Sequence, residues 1–247
     1  MKQFNYSLLT LACLNAQAAL ASTTAEQDIE HISVYQKQNQ VVMSSGLATK
    51  SDMSLMETPA PVVIIDRELI ESQGVDNLQD LVRNVSGLTQ AGNNYGIGDN
   101  LVIRGLDANY TYDGMYGGAG LGNTFNPTRS LTNIESVEVL KGPATGLYGI
   151  GSAGGVINLI EKKPEFEEKH KVALELGQWD SYSLAFDSTN ALSDNLAYRV
   201  MAKTASSDGF RDLKEERDEI YTSLKYVLND KQDVMLSAAY IAYSGAS

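Results

Sequence analysis

Along the last third of the chain, apolar and polar residues alternate with a period of two. Val172, Leu174 and Leu176 alternate with Lys171, Ala173 and Glu175, and Tyr182, Leu184 and Phe186 with Ser183, Ala185 and Asp187. Leu196, Tyr198 and Val200 oppose Arg199 and Lys203. Ile220, Leu224, Tyr226 and Leu228 oppose Glu219, Ser223 and Lys225. Val234, Leu236, Ala238 and Tyr240 oppose Asp233 and Ser237. Successive residues of a strand face opposite sides, so the pattern predicts five antiparallel strands over 165–247 with one apolar, aromatic face and one polar face. Segments of about ten residues with this alternation are expected in the wall of an outer-membrane barrel, although a soluble sandwich produces a similar pattern. The connectors Gly177–Asp180, Ser188–Asn195 and Asn229–Lys231 read as short, and Ser206–Arg217 as longer and charged. Five strands cannot close a barrel, and an open wall leaves unpaired edges in lipid. The chain also stops at Gly245-Ala246-Ser247 without a final aromatic strand end, so the expected reading is a truncated portion of a longer protein.

Residues 58–164 carry a different rhythm. Val62–Ile65 is a short continuous apolar strand, after which Asp66 opens a helix that Gly74 stops. Asp76 is expected to cap a second helix, with Gln79 in the capping-box position and Leu78, Leu81, Val82 and Val85 on one face. Gly87 stands where a helix terminates. Strands follow at Leu101–Arg104, Ile134–Leu140 and Val156–Ile160, separated by loops rich in Gly, Asn and Tyr. The reading is a compact α+β unit.

Residues 1–21 have the layout of a secretory signal: Lys2, an apolar Tyr6–Leu14 core and a small-x-small site at Ala19-Leu20-Ala21. Residues 22–57 are polar and aperiodic and read as a flexible arm. One extended apolar island, Ile32-Ser33-Val34-Tyr35, interrupts the arm and is suited to adding a strand to a partner's sheet edge. No later apolar run approaches the ~20 residues of a membrane-spanning helix.

Composition narrows the functional classes. The net charge of −12 comes without basic clusters, which argues against nucleic acid. The lone cysteine, Cys13, lies in the signal, so the mature chain has no cysteine-based metal site. His31 and His170 are far apart, and no Ser/His/Asp set or carboxylate pair is arranged for catalysis, so no enzyme activity is expected. Gly149–Gly154 matches G-x-G-x-x-G, but a strand-like Val156–Ile160 follows where a dinucleotide site requires a helix. The glycines are therefore read as permitting turns and close backbone packing. Loop residues Asn94, Tyr95, Tyr110, Tyr112 and Tyr116 offer flat rings with hydroxyl donors, which suit an aromatic, oxygen-rich ligand such as a ferric catecholate.

Ile134–Pro143, Leu147-Tyr148-Gly149 and Gly154–Ile160, followed by Lys162-Lys163-Pro164, closely resemble the plug domain of TonB-dependent siderophore receptors. Ile103-Arg104-Gly105 and Tyr112-Asp113-Gly114 resemble two further plug motifs. The resemblance implies a barrel of 22 strands in the bacterial outer membrane, filled by the plug. It implies a monomer that imports an iron–siderophore complex, with the iron already chelated and no cofactor held by the protein. The inner-membrane TonB complex would pull on a box at Ile32, Ser33, Val34 and Tyr35, driven by the proton gradient. Arg104 and Lys141 match plug positions that pair with acids of the barrel wall, although Lys replaces the commoner Arg at the second. Haem, cobalamin or an oligosaccharide as solute, and a secreted β-rich adhesin, stand as alternatives.

Overall fold

A computed structural model describes residues 61–92, 100–116, 130–144, 153–209 and 214–245. The signal, the arm with its Ile32–Tyr35 island, and Asn94 and Tyr95 lie outside the described residues.

The first layer is a mixed sheet, β1 (Val62–Asp66), β2 (Leu88–Gly92), β3 (Asn100–Ile103), β4 (Leu106–Tyr112), β5 (Met115–Tyr116), β6 (Ile134–Lys141) and β7 (Gly155–Glu161). Its spatial order is β1-β6-β7-β4-β3-β2, with β5 paired to β4. β4 runs parallel to β7, Ala108 opposite Gly155, while β1 and β6 are antiparallel with Val62 opposite Leu140. A helix, α1 (Arg67–Ser72), follows β1. Its N-cap is Asp66, whose carboxylate accepts the Leu69 N–H at 2.8 Å, an arrangement worth about 1 kcal/mol. The core gathers Ile65, Ile70, Leu81, Leu101, Ile103, Val139, Ile157 and Leu159, all essentially closed to solvent.

Three expectations are corrected. The second helix is a 3-10 turn, Gln79–Asn84, and its Asp80 N–H is held by the side chain of Asn77 rather than of Asp76. Leu78 and Leu81, three residues apart, eclipse in a three-residue turn and so bury together. The side-chain oxygen of Gln79 accepts from Gln90. The expected strand at Leu101–Arg104 ends one residue early, because Arg104 (φ 54°) and Gly105 (φ 80°) form the tight turn into β4. Asp113 (φ 45°) and Gly114 (φ 76°) form an equivalent turn between β4 and β5. Two successive left-handed residues are what a two-residue hairpin demands, which accounts for the Arg-Gly and Asp-Gly dipeptides. Finally, Leu106–Tyr112 is no loop but a central strand.

The glycine-rich run does lead into a strand, β7. A Cβ on Gly154 would fall 2.5 Å from the Leu106 carbonyl oxygen, and one on Gly155 (φ +140°) 2.1 Å from that of Leu140. The pair lets β7 enter between β4 and β6.

The second layer is an antiparallel meander, β8 (Lys169–Leu176), β9 (Tyr182–Ser193), β10 (Leu196–Ser207), β11 (Glu215–Asn229) and β12 (Gln232–Gly245), in sequential order. The turns Asp194-Asn195 and Asp230-Lys231 have two residues each, whereas 177–181 and 208–214 are longer. The expected connector Ser188–Asn195 is therefore mostly strand. The apolar faces predicted from the alternation point outward: Val172, Leu174, Leu184, Phe186, Ile220, Leu224 and Leu236 are all exposed. The opposite face lies against the plug-like sheet and buries Ser183, Thr189, Arg199, Glu219 and Tyr221.

Candidate functional site

The seam between the two layers is polar. Arg67, on the first turn of α1, binds Glu71 at 2.7 Å and donates to the carbonyl oxygens of Leu131 (2.8 Å) and Ile134 (3.1 Å). Glu71 then meets Lys171 of β8 at 2.6 Å. Burial pushes the Glu71 carboxyl upward, but hydrogen bonds from Lys171 and Arg67 outweigh it and hold the group below its ordinary range. Asp76, released from any capping role, pairs with Lys203 of β10 at 2.6 Å. Ser130 donates to Glu219 of β11 at 2.8 Å. Lys171, Lys203 and Glu219 all stand on the polar faces of their strands, so the period-two pattern aims them at the seam.

The chain crosses from one layer to the other at residues 162–168, and there the contacts are most enclosed. Asp187 of β9 receives a bidentate pair from Arg199 of β10, at 2.9 and 2.8 Å, and a third contact from Lys162 at 2.9 Å. Arg199 also donates to the Lys163 carbonyl at 3.0 Å. Burial, with the nearby Arg67 charge, lowers the Lys162 ammonium from its ordinary value, and Asp187 works against that shift. Half-exposed pairs such as Asp76–Lys203 are worth about 0.2–1 kcal/mol. Removing one partner of an enclosed set such as that around Asp187 costs about 3–5 kcal/mol, because it strands buried charge.

Inside the first layer, Asn158 organises a buried network. Its side-chain oxygen accepts from Thr111 (2.8 Å) and from the Gly114 N–H (2.9 Å), and its amide donates to Glu138 at 3.2 Å. This ties the Asp113-Gly114 turn to β6 and β7. Asp113 accepts the Glu161 N–H at 3.2 Å. Burial, reinforced by the Asp113 charge, raises the Glu161 carboxyl above its ordinary range.

The residues singled out from sequence fare unequally. Tyr110 is 1% exposed, on β4 rather than in a loop, and its hydroxyl accepts the Leu101 N–H at 3.2 Å. Its ring belongs to the core, and it is withdrawn as a ligand contact. Tyr112 ends β4 half-buried and packs against that core. Tyr116 lies on β5 opposite Thr111. Arg104 is exposed in its turn. Lys141 is buried at the end of β6, where its ammonium donates to Ser86 at 3.2 Å. Burial, with the neighbouring Arg104 charge, lowers it from the ordinary value. Sequence reading did not foresee the Glu71–Lys171, Asp76–Lys203 and Asp187–Arg199–Lys162 sets. Their signal was available as charge at alternate positions of β8 to β11.

A family description, TonB-dependent Receptor Plug Domain, matches residues 54–156. The ferrioxamine B receptor of Salmonella typhimurium is 32% identical over 82% of this chain, and the ferripyoverdine receptor of Pseudomonas aeruginosa 31% over 78%. The chain belongs to the TonB-dependent receptors. The first layer is accordingly the plug domain and the second the start of the barrel wall. The solved ferripyoverdine receptor of the outer membrane of Pseudomonas aeruginosa superposes with a TM-score of 0.71 at 28% identity, covering 81% of this chain and 27% of that one. The ferric-catecholate import receptor Fiu of E. coli K12 in its closed form gives 0.73 at 25%, covering 83% and 29%. The chain spans 30% and 24% of the two receptors compared by sequence, so it corresponds to the plug and first strands of a much larger barrel.

Proposed function

We propose that this chain is the plug and first wall segment of an outer-membrane receptor that imports ferric siderophores, energised by TonB and the proton gradient. The likeness to the ferrioxamine B and ferripyoverdine receptors carries the reading, because it runs through both the plug and the wall. The outward apolar face suits lipid, and the polar inner face suits a wall closed around a plug. Residues 1–21 direct export. Ile32, Ser33, Val34 and Tyr35 form the TonB box and add a strand to the partner's sheet edge. Asn94, Tyr95, Tyr112 and Tyr116 contact the siderophore, and Arg104 and Lys141 engage acids of the remaining wall. Iron arrives chelated and leaves chelated, so the work is binding and release, without covalent chemistry, in a monomer.

The test is growth of a strain lacking the whole receptor on defined iron chelates: ferrioxamine B, ferripyoverdine and a ferric catecholate. Loss of growth on at least one, restored by the gene, is expected. Undiminished uptake of all three, with loss on haem or cobalamin instead, overturns the siderophore assignment. For the box, Val34→Pro removes a backbone donor from the added strand. Binding of the chelate at the cell surface is expected to persist while uptake stops, and retained uptake overturns that assignment.

A further inference from the structure

On the outward face of the wall a polar row interrupts the apolar band. His170 of β8 stands opposite Ser188 of β9, and Tyr198 of β10 reaches the same serine from the other side. These residues point away from the plug, because Lys171, Asp187 and Arg199, one position along on each strand, point into the seam. On the same face, Val172 and Phe186 follow the row toward the 177–181 connection, and both are exposed. Toward the Asp194-Asn195 turn stands Leu192, also exposed. The side chains of the row are joined end to end. The Tyr198 hydroxyl lies 3.4 Å from Ser188 Oγ, that oxygen 2.9 Å from His170 Nδ1, and His170 Nε2 2.9 Å from Glu168 Oε1. Ser188 is 5% exposed, closed in by its two neighbours, so this Glu-His-Ser order holds no open nucleophile.

The carboxylate fixes the direction of the row. Glu168 only accepts, so His170 Nε2 donates to it. In the neutral imidazole Nδ1 then accepts from Ser188, and Ser188 accepts from Tyr198. The donors are thus spent along the row, and its charged end shows a neighbour an acceptor. Lys169 is held by Glu165 and Glu167, which leaves the charge of the exposed Glu168 in place. A carboxylate at the border of a lipid-facing band calls for a cation that lipid can supply.

We propose that this row is a binding notch for a phospholipid headgroup that ends in a primary ammonium, held by the Glu168 carboxylate. Ser188 and Tyr198 are positioning residues: they hold the His170 ring, and the ring holds the carboxylate. A primary ammonium brings N–H donors to the acceptor, whereas a quaternary one brings charge without donors. An anionic headgroup meets Glu168 as a like charge. The notch adjoins the 162–168 crossing, at the end of the wall that carries the two-residue turns, and so belongs to the periplasmic leaflet. It rests on the wall's place in the outer membrane, and not on which solute the receptor carries.

The test is native mass spectrometry of the whole receptor in detergent, titrated in turn with phosphatidylethanolamine, phosphatidylcholine and phosphatidylglycerol of identical acyl chains. The parent is expected to retain one phosphatidylethanolamine at about fivefold lower concentration than either other lipid, the upper range for an ion pair open to water. Glu168→Gln, an exposed and nearly isosteric change, removes that preference and leaves the phosphatidylcholine titration as it was. His170→Phe, which keeps a ring without its nitrogens, weakens the preference. Leu174→Ala, on the same face outside the row, preserves it. Equal retention of the three lipids by the parent overturns the notch, as does a preference that survives Glu168→Gln. Loss of the preference in Leu174→Ala as well would mean lipid held by the whole face, and also overturns it. Failure of the growth test on iron chelates removes the siderophore reading alone, and the lipid titrations still decide the notch.

Discussion

In the plug, Leu101, Ile157 and Leu159 are sealed from solvent, whereas in the wall Leu174, Leu176 and Leu236 stand 65%, 77% and 69% exposed. The chain uses the same residue types in both regions and asks opposite things of them. The plug hides its apolar groups in its own core and, apart from Glu138 and Lys141, leaves most of its charges nearer the rim. The wall turns its apolar groups outward and gathers its charges inside. Burial of leucine therefore does not mark the better-folded half. It marks the half whose solvent is water, while the wall's exposed band is the surface a bilayer would cover. Where the two regions meet, neither can offer an apolar face, and the joint is made of ion pairs and side-chain hydrogen bonds.

The contrast can be broken most severely at the plug's backbone. Gly155→Ala places a Cβ against the Leu140 carbonyl at a φ of +140° and should prevent β7 from entering the sheet, so that no folded receptor reaches the membrane. Surface labelling and protease resistance would show it, and a receptor of normal abundance would refute the close-packing argument. At the joint, Asp187→Ala strands Arg199 and Lys162 and should cost about 3–5 kcal/mol, read as a lowered midpoint of denaturant unfolding in detergent. Asp187→Asn, which keeps two hydrogen-bonding atoms, should cost less. The two leucine environments separate next. Leu159→Ala should cost about 2–5 kcal/mol through a cavity in the plug core. Leu236→Ala should cost under about 1 kcal/mol, since it leaves no cavity on an outer face. Equal losses would mean the wall face is packed against protein.

Legibility in the sequence followed the strength of periodicity. All five wall strands were readable, because period-two alternation persists over at least six residues in each and burial on one side enforces it. Their ends were not: Ser188–Ser193 looked like a connector because its polar residues suit a turn, yet β9 extends through it. In the plug, β6 and β7 announced themselves with β-branched runs, whereas β4 did not. Asp107, Asn109, Tyr110 and Thr111 carry no apolar period, and β4 is fixed by its parallel pairing to β7 and by the Asn158 network, which are tertiary facts. The same blindness put Tyr110 among ligand contacts when it is a core ring. The seam was half visible. The charged wall positions could be assigned a face, but Asp76 was expected at a helix cap because cap and ion-pair partner are indistinguishable in sequence. Arg104 and Lys141 were singled out through resemblance, and Lys141 turns to Ser86 within the plug.

The smallest expected effect concerns Glu161, the one plug carboxyl among the described residues that burial holds above its ordinary range. Glu161 ends β7 beside Asp113, and burial together with that like charge raises its carboxyl above the ordinary glutamate value of about 4.3. The folded receptor thus holds this proton more tightly than the unfolded chain. The associated stability is fully present below the ordinary glutamate value and is lost as pH rises through the raised one. Glu161→Gln mimics the protonated form and can still accept a hydrogen bond from Asn133. The variant should match the parent in thermal melts at pH 4 and exceed it at pH 8, by at most about 1 kcal/mol once solvent screening is allowed for. A difference of the same size at both pH values would mean that packing, and not the buried charge beside Asp113, distinguishes the two side chains. A lower melting point for Glu161→Gln at pH 8 would mean that the carboxylate is paired there after all, as the wall's acids are.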